Sequence, residues 1–244
     1  MSRSLTLAVA LAITPATFAA TESGMVTETH RFGIYLGGVM LGTVTVDAEV
    51  EDTRYKASVS ITPTGLLETI VKVQHRSRVA GAIGQGDLRP WHYRSRTLTR
   101  KRKSEVDMIY VDGRPRIRLI LPEREPRDHD VVPADQIGTL DPTSAAFKMF
   151  RSVSRDDLCN TAQEIFDGRR RTRLVVEAPE FNDGEDEVHC PAIFKRVAGY
   201  SPEQLAKRSD FRATLTFKRQ GDGLYQMQKI AAESTFGDVK ILRR

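Results

Sequence analysis

Met40-Leu41-Gly42-Thr43-Val44-Thr45-Val46-Asp47-Ala48-Glu49-Val50 alternates between two chemistries. Even positions read Met, Gly, Val, Val, Ala and Val; odd positions read Leu, Thr, Thr, Asp and Glu. After the polar break Glu51-Asp52-Thr53-Arg54, the apolar set continues as Tyr55, Ala57, Val59 and Ile61, with Lys56, Ser58 and Ser60 between them. Successive side chains of a strand point to opposite faces, so this pattern predicts a β-hairpin with one buried and one wet face.

The same period recurs outward from this hairpin. Phe211, Ala213, Leu215 and Phe217 alternate with Arg212, Thr214, Thr216 and Lys218. Gly221-Asp222-Gly223 then turns the chain into Leu224–Glu233, and a last strand runs near Phe236–Leu242. Asp112-Gly113 separates Val106–Val111 from Arg116–Leu121, and Asp167-Gly168 separates Gln163–Phe166 from Arg171–Ala178. Asp-Gly supplies the positive φ angles of tight hairpin turns, so both steps predict hairpins. About twelve strand-like segments result, joined mainly by short turns.

Helical signals are few. Asp141-Pro142-Thr143-Ser144 reads as an N-cap followed by Pro at the first helical position, with Ala145, Ala146, Met149, Phe150 and Val153 as the apolar face. Ser201-Pro202-Glu203-Gln204 opens a second short helix to Arg208 with a capping-box Gln. Gly65–Val71 reads as a helical turn or a strand, with a short helix the favoured of the two, and the charged segment Glu123–Ile137 as a long exposed loop. Strands of one type flank that loop, which predicts one continuous sheet. The expected fold is all-β: an antiparallel, strongly curved sheet, barrel or spiral carrying one or two short helices.

The N-terminus predicts an address. Arg3 precedes the apolar run Leu5–Ile13, Pro15 breaks it, and Ala16-Thr17-Phe18-Ala19-Ala20 follows. That is the order of a secretory signal peptide over residues 1–20, cleaved after Ala19 or Ala20, ahead of a single β-rich domain over residues 21–244. The run is too short for a transmembrane helix, which needs roughly 20 residues. The expected location is the periplasm, with no membrane-spanning segment. In such an oxidising space the chain's 2 cysteines, Cys159 and Cys190, are expected to form one structural disulfide. Closing a loop of roughly thirty residues restricts the unfolded chain by about 3–4 kcal/mol in the entropy model.

Composition excludes several function classes. Without the leader, 36 basic residues face 32 acidic ones, a net +4 with the signs mixed, unlike the clustered basic surface of a general nucleic-acid binder. No Gly-x-Ser-x-Gly elbow and no His-Glu-x-x-His helix occurs. Gly37-Gly38-Val39-Met40-Leu41-Gly42-Thr43 has the outer spacing of a phosphate loop but lacks its Lys, and reads as a glycine-eased bend. Gly84-Gln85-Gly86 is likewise a turn. The 5 histidines are scattered; Asp128-His129-Asp130 and Asp186-Glu187-Val188-His189 put carboxylates beside an imidazole within charged loops. Asn182-Asp183-Gly184-Glu185-Asp186 has the wrong ligand register for a twelve-residue calcium loop. No cofactor, metal site or catalytic residue is expected.

The arginines are the remaining signal. Arg94, Arg96, Arg100 and Arg102 share one parity of a strand; Arg114, Arg116 and Arg118 follow across Asp112-Gly113; Arg169, Arg170, Arg171 and Arg173 follow Asp167-Gly168. Arg94, Arg96, Arg100, Arg102, Arg116, Arg118, Arg169 and Arg171 are therefore candidate anion-binding residues, suited to bidentate contact with phosphates or carboxylates. The competing role is pairing with Asp and Glu on wet strand faces, which keeps edges from aggregating.

Several of these stretches carry a family likeness. Phe32-Gly33-Ile34-Tyr35-Leu36-Gly37-Gly38 with Gly42, Pro90-Trp91-His92-Tyr93, Asp141-Pro142-Thr143-Ser144, Cys159 with Phe166-Asp167-Gly168-Arg169-Arg170-Arg171, and Cys190 with Tyr200-Ser201-Pro202 span most of the chain. The chain thereby resembles the bacterial periplasmic proteins grouped as domain of unknown function 3108. It is similar in outline to periplasmic envelope-integrity proteins with a spiral, disulfide-linked sheet, and more distantly to half-barrel lipoprotein carriers. The resemblance implies an exported Gram-negative envelope protein and transfers no catalytic residue. The resulting expectation is a non-enzymatic binding or scaffold protein. Its curved sheet would hold a lipid, acyl chain or peptide in an apolar groove with arginines at the rim. Lipid, lipopolysaccharide, peptidoglycan and an envelope protein are the expected partners. The alternatives are an enzyme acting on envelope polymers through Asp128, His129 and Asp130, and a structural partner of an outer-membrane assembly.

Overall fold

The computed structural model describes residues 24–64, 73–84, 87–179, 186–234 and 237–244. The leader, the 65–71 helix, most of the 84–86 turn and the 182–185 acidic stretch lie outside the described residues. The first seven strands are β1 (Val26–Leu36), β2 (Val39–Glu51), β3 (Arg54–Pro63), β4 (Gln74–Gly84), β5 (Asp87–Leu98), β6 (Lys103–Val111) and β7 (Arg114–Leu121). A second run holds β8 (Thr161–Phe166), β9 (Arg171–Val176), β10 (Glu187–Ala198), β11 (Asp210–Arg219), β12 (Tyr225–Ser234) and β13 (Gly237–Arg243). All are antiparallel neighbours in one 13-stranded sheet of order β7-β6-β5-β4-β3-β2-β1-β13-β12-β11-β10-β9-β8. Each run is a meander, and the first and last strands join the two, with Phe32 opposite Arg243 and Ile34 opposite Ile241.

The predicted alternation is realised. Val44, Val46 and Ala48 on β2 and Tyr55, Ala57 and Val59 on β3 are buried, while Asp47, Glu49 and Lys56 are exposed. Asp112 and Gly113 both adopt positive φ (52° and 71°) in a two-residue turn between Val111 and Arg114. Asp167-Gly168 differs. Its loop runs over four residues from Asp167 to Arg170, between the paired Phe166 and Arg171. The Asp167 carboxylate accepts the backbone N–H groups of Arg169 and Arg170, each at 2.8 Å, so a side chain shapes this turn. The glycine-rich bend after Leu36 is a hairpin turn, with Gly37 and Gly38 at φ 55° and 86° between Leu36 and Val39.

Two helices form where the caps predict them. In α1 (Pro142–Phe150), the buried Asp141 carboxylate accepts from the N–H groups of Thr143 and Ser144. In α2 (Pro202–Lys207), Ser201 and Gln204 complete a reciprocal capping box. Helix α1 lies inside the curl and reaches strands from both meanders. Phe147 stacks on Tyr55 with ring centroids 5.8 Å apart, and Phe150 meets Phe32 at 4.5 Å. These two side chains serve two adjoining cores, one with Val79, Tyr93 and Met108, the other with Cys190, Leu215 and Met227.

The charged segment after β7 is exposed over most of its length, as predicted, but it also straps the ends of the sheet. Arg114 donates to the Ala134 carbonyl at 3.2 Å on the β7 side, next to a 3-10 turn over Pro133–Asp135. On the β8 side the Leu140 N–H donates to Glu164 at 2.9 Å, and the Phe166 N–H returns a bond to Leu140 at 2.8 Å. The β8–β9 loop rests on the other end of the sheet: a Cβ on Gly168 would lie 3.0 Å from Val106 and 3.4 Å from Ile117. The strap and α1 thus occupy the concave side, where an apolar groove was expected. A pocket of about 70 Å³ remains beside the disulfide, lined by Met149, Leu174, Leu215 and Phe217. The larger clefts lie on the outer face.

Candidate functional site: an arginine face outside the sheet

The solvent side of β3–β6 carries a compact block of charged side chains. Antiparallel register sets Arg76 directly opposite Arg96, and Arg78 directly opposite Arg94, across β4 and β5. Like charges in directly opposed positions repel, so neighbours decide how the block is tolerated. On the β6 side Arg94 faces Asp107 and Arg96 faces Glu105. The Arg94 Nε donates to Asp107 at 2.7 Å, and the Arg96 Nε to Glu105 at 2.5 Å. On the β3 side Arg78 faces Ser58 and Arg76 faces Ser60. Among the described residues, Arg76 and Arg78 make no ion pair.

The two carboxylates are the sheltered members of this face, with side chains 16% and 15% exposed, whereas those of Arg94 and Arg96 are 45% and 60% exposed. Burial pushes the Asp107 carboxyl up, but hydrogen bonds with His92 and Arg94 outweigh it and hold the group below its usual range. Hydrogen bonds from Lys103 and Arg96 do the same for Glu105. Both therefore stay ionised and anchor the inner edges of their arginines. His92 sits against the same Asp107 at 2.9 Å. Over the block lies a cleft of about 730 Å³ whose wall includes Ser58, Ser60, Arg76, Arg78, Arg96 and Leu119. A second cleft of about 390 Å³ adjoins it through Arg78 and Arg94 and runs toward Thr29 and Asp47.

The other candidate arginines are dispersed. Arg100 and Arg102 belong to the β5–β6 turn, where the Thr99 hydroxyl donates to the Arg102 carbonyl at 3.0 Å. Arg116 and Arg118 are exposed on β7 beyond the carboxylates, with Arg118 skipped by a register shift. Arg169 turns inward and donates to the Pro122 carbonyl at 2.8 Å. Burial lowers its pKa, and the charges of Arg124 and Arg102 act in the same direction. Arg171 is neutralised by Glu164 at 2.8 Å. Of the eight, only Arg94 and Arg96 fall in the block. Their partners Arg76 and Arg78 share one parity in Gln74-His75-Arg76-Ser77-Arg78-Val79, a visible signal that acquires meaning once β4 and β5 are in register.

The acid–base candidates do not converge into a reactive set. Asp130 is held by Arg124 and by the Arg127 N–H, which keeps its carboxyl well below the usual range. His189 contacts Thr216 and Glu187 on the wet side of β10. Among the described residues, no group of three His, Cys, Asp or Glu side chains is arranged to hold a metal ion. Cys159 and Cys190 are joined in a disulfide with Cα atoms 6.2 Å apart.

The profile of the family described as protein of unknown function, DUF3108, matches residues 31–241. The chain belongs to this family. For this DUF3108 member no curated protein matches the sequence. A similar solved structure is the beta-barrel-like protein of domain of unknown function DUF1849 from Brucella abortus, at TM-score 0.44 and 9% identity. That similarity covers 91% of this chain and 96% of that one. The DUF3108 matched region takes in the arginine block, both helices and the disulfide.

Proposed function

We propose that this protein is an exported, non-enzymatic binding protein of the bacterial cell envelope, a rigid β scaffold that presents its outer arginine face to an anionic partner. The observation that carries the reading is the 2 × 2 register of Arg76, Arg78, Arg94 and Arg96, two of which have no carboxylate partner among the described residues. Two features support the export part: the leader-like order of residues 1–20, and a disulfide of the kind that persists in oxidising compartments. Lipid headgroups, lipopolysaccharide phosphates and peptidoglycan carboxylates are the anions of such a space. The ligand groove belongs on the outside of the curl in this reading, because α1 fills the inside.

Co-sedimentation of the protein with anionic and neutral phosphatidylcholine vesicles tests the binding part. Binding that appears only with the anionic set, weakens with salt, and drops in Arg76→Ala/Arg78→Ala is the expected result. Equal recovery with neutral vesicles, or no effect of the double substitution, refutes it. Fractionation of cells carrying the full-length gene tests export; retention in the cytoplasm refutes that part.

A further inference from the structure

We propose that the arginine block is a binding site for a phosphomonoester, a dianion with three acceptor oxygens. This rests on the anion-binding reading above and narrows it to one ligand chemistry.

The spacing favours convergence on a single group. Directly opposed residues of an antiparallel pair have Cα atoms roughly 4.5–5.5 Å apart. Residues two apart on one strand are separated by about 6.8 Å. Four guanidinium stems thus rise from a patch of about 5 by 7 Å, and each stem is long enough to lean toward its centre. Asp107 and Glu105 engage Nε of Arg94 and Arg96, which pins these two and leaves their terminal N–H donors without a hydrogen-bond acceptor among the described residues. Arg76 and Arg78 donate to no side chain or carbonyl among the described residues, and Ser58 and Ser60 add hydroxyls along the β3 side.

Charge and valence then select the ligand. Four guanidinium groups and the Lys103 ammonium beside Glu105, less the two carboxylates, leave an excess of +3 on the block. A phosphomonoester carries about −1.5 to −2 at neutral pH and offers three strong acceptor oxygens. A carboxylate is monovalent and presents only two oxygens, which one guanidinium edge can match, so it leaves most of the block's donors unused. A phosphodiester brings a single charge. The cleft of about 730 Å³ admits the phosphate together with part of the molecule bearing it. Leu119 in the cleft wall is 41% exposed and gives that molecule an apolar surface to lie on.

The test uses the full chain and phosphatidylcholine vesicles doped to equal surface charge with phosphatidic acid, phosphatidylglycerol or oleic acid. These present a monoester, a diester and a carboxylate. Phosphatidic acid vesicles are expected to bind at least tenfold tighter than the other two. Arg76→Ala/Arg78→Ala should remove that preference, while Arg116→Ala, on the neighbouring strand, should change affinity less than threefold. Displacement by millimolar inorganic phosphate would support the proposal with the phosphate group alone as ligand. Tight phosphatidic acid binding that resists inorganic phosphate would support it with a lipid-borne phosphate as the source. Equal binding of all three vesicle types, still dependent on Arg76 and Arg78, overturns the phosphomonoester assignment and leaves the general anion face standing. Binding indifferent to both arginines overturns the two readings together. Urea midpoints of the variants, expected to be unchanged or raised, separate lost contacts from lost folding.

Discussion

Arg76 and Arg78 hold a position that favours binding over stability. Each faces another arginine across the ladder and a serine on its other side. Opposed like charges cost on the order of 0.2–1 kcal/mol per pair. Arg76→Thr and Arg78→Thr should therefore raise unfolding stability by about that amount each, read as a higher urea midpoint at unchanged m-value, while anion binding falls. A drop in stability would mean that these side chains have supporting contacts the register does not disclose. Asp141 is a second residue with a measurable signature. Its carboxylate is buried at the head of α1, and the Ser144 hydroxyl donates to it at 2.5 Å. Burial pushes its pKa from 3.8 up to about 6, against the pull of its hydrogen-bond donors. A carboxyl whose pKa is higher folded than unfolded holds its proton more tightly in the fold. The stability it contributes is thus complete below pH 3.8 and declines as the pH rises to about 6. Asp141→Asn keeps one acceptor for the cap and cannot titrate. Wild type should therefore lose stability relative to Asp141→Asn across that window, by up to roughly 3 kcal/mol. A flat difference between the two denaturation series would show that Asp141 stays ionised throughout.

Among the elements, α1 packs on strands of both meanders. Its capping residue and its Pro at the first position are legible in Asp141–Pro142, and Ala145 and Phe150 of the expected apolar face are buried, but that face omits Phe147 and runs on to Val153, beyond the end of the helix. What the pattern does not show is that Thr143 and Ser144 are buried as well. They meet hydroxyls from the sheet: Ser77 and Thr143 lie 2.6 Å apart, and Tyr55 and Ser144 2.7 Å. A helix polar at its head and apolar further on reads as half-exposed from periodicity alone. Here the polar half is satisfied inside by side chains from β3 and β4. Phe147 has 1% of its surface exposed and packs on Tyr55. Phe147→Ala should cost about 3–5 kcal/mol in denaturant unfolding. A loss below 1 kcal/mol would mean that the interior collapses around the gap. At the smaller α2, Ser201→Ala removes one arm of the capping box and should cost about 1 kcal/mol. That helix buries none of its residues, so the effect should stay local.

At the scale of the whole molecule, two meanders share one sheet because β1 pairs with β13, and the strap between β7 and β8 holds the free ends near each other. The disulfide ties the approach to β8 to the middle of β10 across 31 positions of chain. Cys159→Ser/Cys190→Ser should lower stability by roughly 3–4 kcal/mol if chain entropy governs. Wild type in excess reductant should follow the double variant, and a difference under 1 kcal/mol would show that the strap and α1 already fix this corner. Much of this architecture was legible residue by residue. Period-two alternation identifies strands because neighbouring side chains face opposite ways, and Asp-Gly, Gly-Gly and Pro-bearing caps mark turns and helix starts through local φ preferences. Those signals act within a few residues and survive without the fold. Strand order, the filled interior and the pairing of Arg76 with Arg96 and of Arg78 with Arg94 depend on register between residues well separated along the chain, 20 and 16 positions for the two arginine pairs. Alternation is the same for every register that keeps the apolar face inward, so it cannot choose among them. Within a hairpin such as β4–β5 that choice, and with it the arginine block, belongs to the turn that joins the strands, while strand order and the filled interior belong to packing around α1 and to the closing pair β1 and β13.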